Sequence, residues 1–121
     1  MTAPAPPLIT IYHNPACQTS RSALAAIRAA GHEPEVVEYL QVGWTVDLLK
    51  KLLSAMKAKP RDILRLRGTP AGELGLTQAG AGDDEILAAM AVHPILVERP
   101  IVVTPKGVAI ARPLENIEKL L

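Results

Sequence analysis

Leu8-Ile9-Thr10-Ile11-Tyr12 alternates apolar and β-branched residues and stops at His13-Asn14-Pro15, the pattern of a β-strand delivered into a turn. From Thr19 to Ala30 the apolar positions are Ala23, Leu24, Ile27 and Ala30, a helical stripe that Gly31 is placed to terminate. Glu35 to Leu40 reads as a second strand, and strand, helix, strand in that order predicts a parallel βαβ unit. Further helical stripes run over Val46 to Met56, Arg61 to Leu66 and Asp83 to His93, the last opened by the acidic Asp83-Asp84-Glu85 that suits a helix start. Ile101-Val102-Val103 and Val108-Ala109-Ile110-Ala111 flank Thr104-Pro105-Lys106-Gly107, which predicts an antiparallel hairpin. Leu114 to Leu121 reads as a short closing helix. The pattern as a whole predicts an α/β fold: a small mixed β-sheet flanked by helices, with a helical region inserted in the middle of the chain.

Composition narrows this picture. The 121 residues suit one domain, expected over residues 8–121, and are enough to bury a single core. The first seven residues, rich in Pro and Ala with one Thr, are expected to form a disordered lead and lack the basic start and apolar stretch of a signal peptide. Phe is absent although 49% of residues are hydrophobic, so the core must be built from Leu, Ile, Val and Ala. Thirteen basic and twelve acidic residues leave a net charge of +1, too weak a field to recruit nucleic acid or a membrane surface. No run approaches the roughly 20 apolar residues that cross a bilayer. The single cysteine rules out an internal disulfide and, without an export signal, the cytoplasm is the expected compartment.

Cys17 carries the candidate chemistry. A lone cysteine is ordinarily inert packing, but this one lies between a strand end and a helix start, where open backbone N–H groups and the helix dipole favour a thiolate and attract an oxyanion. Ser20, three positions on, projects to the same side and can donate from its hydroxyl; Thr19 can donate or cap. His13 could support the thiolate through its charge or simply end the strand. His32 and His93 have no Cys/His spacing of a zinc site, so no metal is expected. Arg65 is expected in a short helix, Arg99 precedes a strand and Arg112 follows one. Each arginine alone reads as a solvated surface group, whereas three converging guanidinium forks would match a tetrahedral oxyanion. The Gly-rich Ala79-Gly80-Ala81-Gly82 has no strand before it and no P-loop lysine, so it reads as a loop.

His13-Asn14-Pro15-Ala16-Cys17, Thr19-Ser20-Arg21, Glu38-Tyr39-Leu40, Leu64-Arg65, Glu73-Leu74-Gly75-Leu76, His93-Pro94-Ile95-Leu96 and Arg99-Pro100-Ile101-Val102-Val103-Thr104-Pro105 occur in one order and spacing from Ile9 to about Leu120. In this series the chain resembles the ArsC family of glutaredoxin-coupled arsenate reductases. The resemblance implies a thioredoxin-like fold and a cis peptide before Pro100. It implies a catalytic Cys17 supported by His13 and Ser20, and an oxyanion held by Arg65, Arg99 and Arg112. It further implies reduction of arsenate to arsenite through a covalent Cys17 adduct with no bound cofactor, resolved by glutathione and then glutaredoxin as outside partners. With one cysteine in the chain, turnover by this route requires an external thiol.

The chain departs from the family pattern at Gln18, where many arsenate reductases carry Gly. Two alternatives stand beside this reading. One is an Spx-like regulator binding RNA polymerase, although Ser20 occupies the second position of the Cys-x-x-Cys motif those proteins often carry. The other is an ArsC-like thiol oxidoreductase with another substrate.

Overall fold

The computed structural model describes residues 8–121; the expected disordered lead, residues 1–7, lies outside the described residues. Five helices, α1 Gln18–Ala29, α2 Tyr39–Val42, α3 Val46–Met56, α4 Asp83–Val92 and α5 Glu115–Glu118, and four strands, β1 Thr10–His13, β2 Glu35–Glu38, β3 Ile101–Thr104 and β4 Gly107–Ile110, make up the described chain together with two 3₁₀ turns. By their contacts the described residues form two compact units, one of residues 8–38 together with Arg99–Leu121, the other Tyr39–Glu98.

The first unit is built on a mixed sheet of order β2-β1-β3-β4. β1 and β2 are parallel, as the strand-helix-strand pattern predicts, and β3 pairs antiparallel with both β1 and β4. The apolar positions of β1 and β3 meet those of α1: Ile9, Ile11, Ala23, Ile27, Val102, Ala111 and Ile117 form one buried aliphatic cluster. Ile27 is fully buried in it, so Ile27→Ala would cost about 2–5 kcal/mol in lost transfer energy and cavity.

Strand ends fix where the chemistry can lie. Pairing of Tyr12 with Ile101 and of Ile101 with Ile110 sets the end of β1, the start of β3 and the end of β4 side by side. The ladder continues one step beyond the named strands, since the Ala111 N–H donates to the Pro100 carbonyl at 3.0 Å. Arg99 and Arg112, one residue further out on each strand, are therefore neighbours, and the turn leading from His13 to Cys17 leaves the sheet at the same end.

The second unit is helical. Leu49, Leu52 and Leu53 of α3 and Ile86, Leu87 and Met90 of α4 are buried, α3 and α4 pack on one another, and Tyr39 stacks on Trp44 with ring centroids 5.2 Å apart. Two expectations are corrected in this unit. The second strand ends at Glu38, and Tyr39 and Leu40 open α2 instead. Tyr39 is wholly buried, so aromatic packing overrides the β-propensity of its sequence neighbours. The helix expected over Arg61 to Leu66 is a 3₁₀ turn, Pro60–Ile63, after which Leu64 forms an isolated antiparallel bridge to Val97. Arg65 thus follows a bridge and does not lie in a helix. The Gly-rich segment is a loop ahead of α4, held by Arg61, whose guanidinium donates to the carbonyls of Gln78 and Ala81 at 3.1 and 3.0 Å.

Candidate active site

Asn14 shapes the turn that presents the thiol. Its side-chain oxygen accepts from the Ala16 N–H at 3.0 Å and its carbonyl from the Cys17 N–H at 2.9 Å, so the backbone is folded back on itself before the helix begins. Cys17 is the N-cap residue of α1, with extended backbone angles φ −96° and ψ 123°. Its carbonyl accepts from the Arg21 N–H at 3.0 Å, leaving the first-turn N–H groups of Gln18, Thr19 and Ser20 without intrahelical acceptors. Cys17 forms no completed side-chain cap, so the Gln18 and Thr19 N–H groups stay open to an anion while that of Ser20 supports the thiolate.

The sulfur sits among cations. Nη2 of Arg112 lies 3.7 Å from Sγ, while Nε of Arg112 donates to the Arg99 carbonyl at 2.9 Å, which pins one guanidinium between the two strand ends. Arg99 carries a second cation, and its Nε and Nη1 are buried without an acceptor. Burial is the largest single influence on Cys17 and raises its pKa, but the Ser20 backbone N–H, the charge and hydrogen bonding of Arg99 and the hydrogen bond from Arg112 together outweigh it, so the thiol titrates below its ordinary value.

The Ser20 and His13 side chains meet one another. The Ser20 hydroxyl is engaged with His13 Nδ1 at 2.6 Å and accepts from the Asn14 N–H at 3.0 Å; the backbone N–H of Ser20 is the group that favours the thiolate. His13 is buried. Desolvation lowers its pKa, Glu38 on the neighbouring strand pulls it up, and Arg21 and Arg28 push it down, with a net shift below the ordinary histidine value. Folding therefore biases the imidazole toward its neutral form, and its ring bonds Ser20 beside the turn. Thr19, half-buried in the first turn of α1, contributes one of the open N–H groups.

Cys17, His13, Ser20, Thr19, Arg99 and Arg112 thus gather in the sheet unit. Arg65 belongs to the helical unit, where Nη1 pairs with Glu98 at 3.2 Å and Nε donates to the Arg67 carbonyl at 3.1 Å. Two groups escaped the sequence reading. Asn14 organises the turn, and the Asn-Pro pair at 14–15 is the signal that could have exposed it. Arg21 reaches back to the Pro15 carbonyl at 2.8 Å, a contact that no spacing rule announces. Peptide bonds 99–100 and 112–113 are both cis; the resemblance implied the first and nothing implied the second.

Among the described residues no three His, Cys, Asp or Glu side chains are grouped to hold a metal, and no helix is long and apolar enough to cross a membrane. What remains is a cysteine held toward its thiolate beside two arginines at an open helix start.

The ArsC family model matches residues 12–120. The chain belongs to the ArsC family. Its relatives include the arsenate reductase ArsI2 of Synechocystis sp., 50% identical over 114 residues that cover 94% of this chain and 81% of that protein. The arsenate reductase of Escherichia coli K12 is 47% identical over 113 residues, covering 93% of this chain and 80% of that one. Among solved structures, the arsenate reductase from Vibrio cholerae superposes with a TM-score of 0.90 at 36% identity, covering 97% of this chain and 100% of its own. The thioredoxin-like fold of ArsC proteins, implied by the resemblance, is the fold observed.

Proposed function

We propose that this ArsC-family chain is an arsenate reductase in which Cys17 is the nucleophile. One observation carries the reading: the only thiol of the chain stands at the open start of α1 with Arg112 Nη2 at 3.7 Å and, beside it, an Arg99 guanidinium whose buried Nε and Nη1 have no protein acceptor. Buried guanidinium donors left unpaired cost about 1–3 kcal/mol each, and a tetrahedral oxyanion supplies the acceptors they lack. The names of relatives at 47–50% identity agree with that substrate.

In this mechanism the Cys17 thiolate attacks arsenic(V), an As–O bond breaks, and the oxygen leaves as water after taking a proton. Arg99, Arg112 and the first-turn N–H groups of α1 hold the remaining oxygens. An external thiol then attacks the Cys17 sulfur, the S–As electron pair passes to arsenic, and arsenite leaves with a mixed disulfide on the enzyme. A second thiol restores Cys17. In this reading glutathione followed by glutaredoxin fills these two roles, and the cytoplasm, where such thiols are kept reduced, is the compartment that suits it. The resemblance also implies anion binding by Arg65, whose guanidinium is paired with Glu98; loss of arsenite formation in Arg65→Ala is the outcome that role requires.

The experiment is arsenite formation by the purified protein with arsenate, glutathione and glutaredoxin, with intact-mass measurement of the enzyme when glutaredoxin is omitted. The expected result is arsenite from the wild type, none above background from Cys17→Ser, and a glutathionyl adduct that requires arsenate. Arsenite formation that survives Cys17→Ser would falsify the mechanism, and an inactive wild type would end the reading.

A further inference from the structure

Gln18 stands directly after the nucleophile, at the first position of α1. A carboxamide at the first helical position, on a side chain with three rotatable bonds, can accept from open first-turn N–H groups in place of a substrate oxygen. It does not do so here. Oε1 of Gln18 accepts from Arg21 Nη2 at 2.8 Å and Nε2 donates to Ser22 Oγ at 3.3 Å, partners three and four positions along the same helix face. Both ends of the carboxamide are therefore drawn away from the N-terminus of α1.

Arg21 is anchored independently of Gln18. Its Nη1 donates to the carbonyl of Pro15 at 2.8 Å, in the turn that Asn14 organises, so the guanidinium bridges the residues before and after Cys17. We infer that Arg21 is a positioning residue that clamps the Gln18 carboxamide along α1 and so keeps the approach to Cys17 and the anion-binding N–H groups clear. The anion part of this inference rests on the arsenate reading; the approach to the sulfur does not. Charge is not the route, because the groups that act on the Cys17 pKa are the Ser20 N–H, Arg99 and Arg112. Arg21 does act on His13, lowering its pKa, so the comparison is made at pH 8, above the ordinary histidine value.

The test measures the rate at which iodoacetamide alkylates Cys17, and the arsenate concentration that half-protects it, in wild type, Arg21→Ala, Gln18→Ala and the double variant, each checked for folding by thermal unfolding. Arg21→Ala is expected to slow alkylation and to raise the half-protecting concentration, each by roughly threefold to tenfold, the scale of one exposed charge-assisted hydrogen bond. Removing Gln18 as well is expected to restore both to the Gln18→Ala values. Equal rates in wild type and Arg21→Ala would overturn the inference, as would a double variant as slow as Arg21→Ala, since Arg21 would then act through the Pro15 turn alone. Alkylation without arsenate decides the clamp by itself. Failure of arsenate to protect the wild type would count against the arsenate reading and leave that arm standing.

Discussion

The residues at the starts of α1 and α3 offer different groups, a thiol in one and a hydroxyl in the other. In the helical unit Thr45 caps α3, its hydroxyl accepting from the Leu48 N–H at 3.1 Å; in the sheet unit Cys17 stands at the same position of α1 and completes no cap. The arginines repeat the contrast. Arg65 spends its guanidinium on Glu98 and the Arg67 carbonyl, whereas Arg99 keeps Nε and Nη1 buried and unpaired. At these two positions the helical unit pairs its polar groups. The other leaves donors open around a sulfur, and that deficit is what an anion can relieve.

Cys17→Ser should break the contrast most sharply. It abolishes arsenite formation and, because serine is a good N-cap, raises stability by about 0.5–2 kcal/mol, read as a higher thermal midpoint below pH 7. The comparison is made there because folding lowers the Cys17 pKa. The thiolate's own contribution to stability is fully present above the unfolded thiol's value of about 8.5 and is lost as pH falls through the folded value. A variant with unchanged activity, or one that melts lower, would contradict the account of this helix start.

Next in size is the exchange of the two arginines for leucine. Arg99→Leu should lower kcat/KM on the order of a hundredfold while leaving stability unchanged or higher by about 1–2 kcal/mol, because it removes buried donors that have no acceptor. Arg65→Leu should instead lower stability by about 1 kcal/mol through loss of a half-buried ion pair. Urea unfolding of both proteins decides the matter, and the same sign for the two would erase the distinction.

Arg112→Ala removes a guanidinium that lies 3.7 Å from Sγ and so raises the Cys17 pKa. Alkylation at pH 7 should slow by roughly threefold, with the pH profile displaced to higher pH; an unmoved profile would show that Arg112 does not sense the sulfur. The smallest effect is on the satisfied side. Thr45→Ala should cost about 1 kcal/mol of stability with no change in alkylation rate or turnover.

Much of this was legible along the chain. The β1 run, the α1 stripe and the Thr104 to Gly107 turn are local patterns, and each element formed within a residue or two of its expected place. Tyr39-Leu40 misled because a buried ring packing on Trp44 decided its conformation. Arg61 to Leu66 misled because Leu64 pairs with the distant Val97. Val97 lies outside any local window, and Trp44, although near in sequence, gives no local sign of how deeply the Tyr39 ring is buried.

Amino-acid order alone determined that one thiol would stand between a strand and a helix and that the chain would carry an ArsC-type series of motifs, because short-range periodicity and turn chemistry act within a few residues. Only the tertiary structure decided that hairpin register sets Arg99 beside Arg112, that the Ser20 hydroxyl goes to His13 while its N–H serves the sulfur, and that Arg99 is left with unpaired donors. Those outcomes depend on which distant groups meet when the sheet closes and water leaves, and no local pattern carries that information.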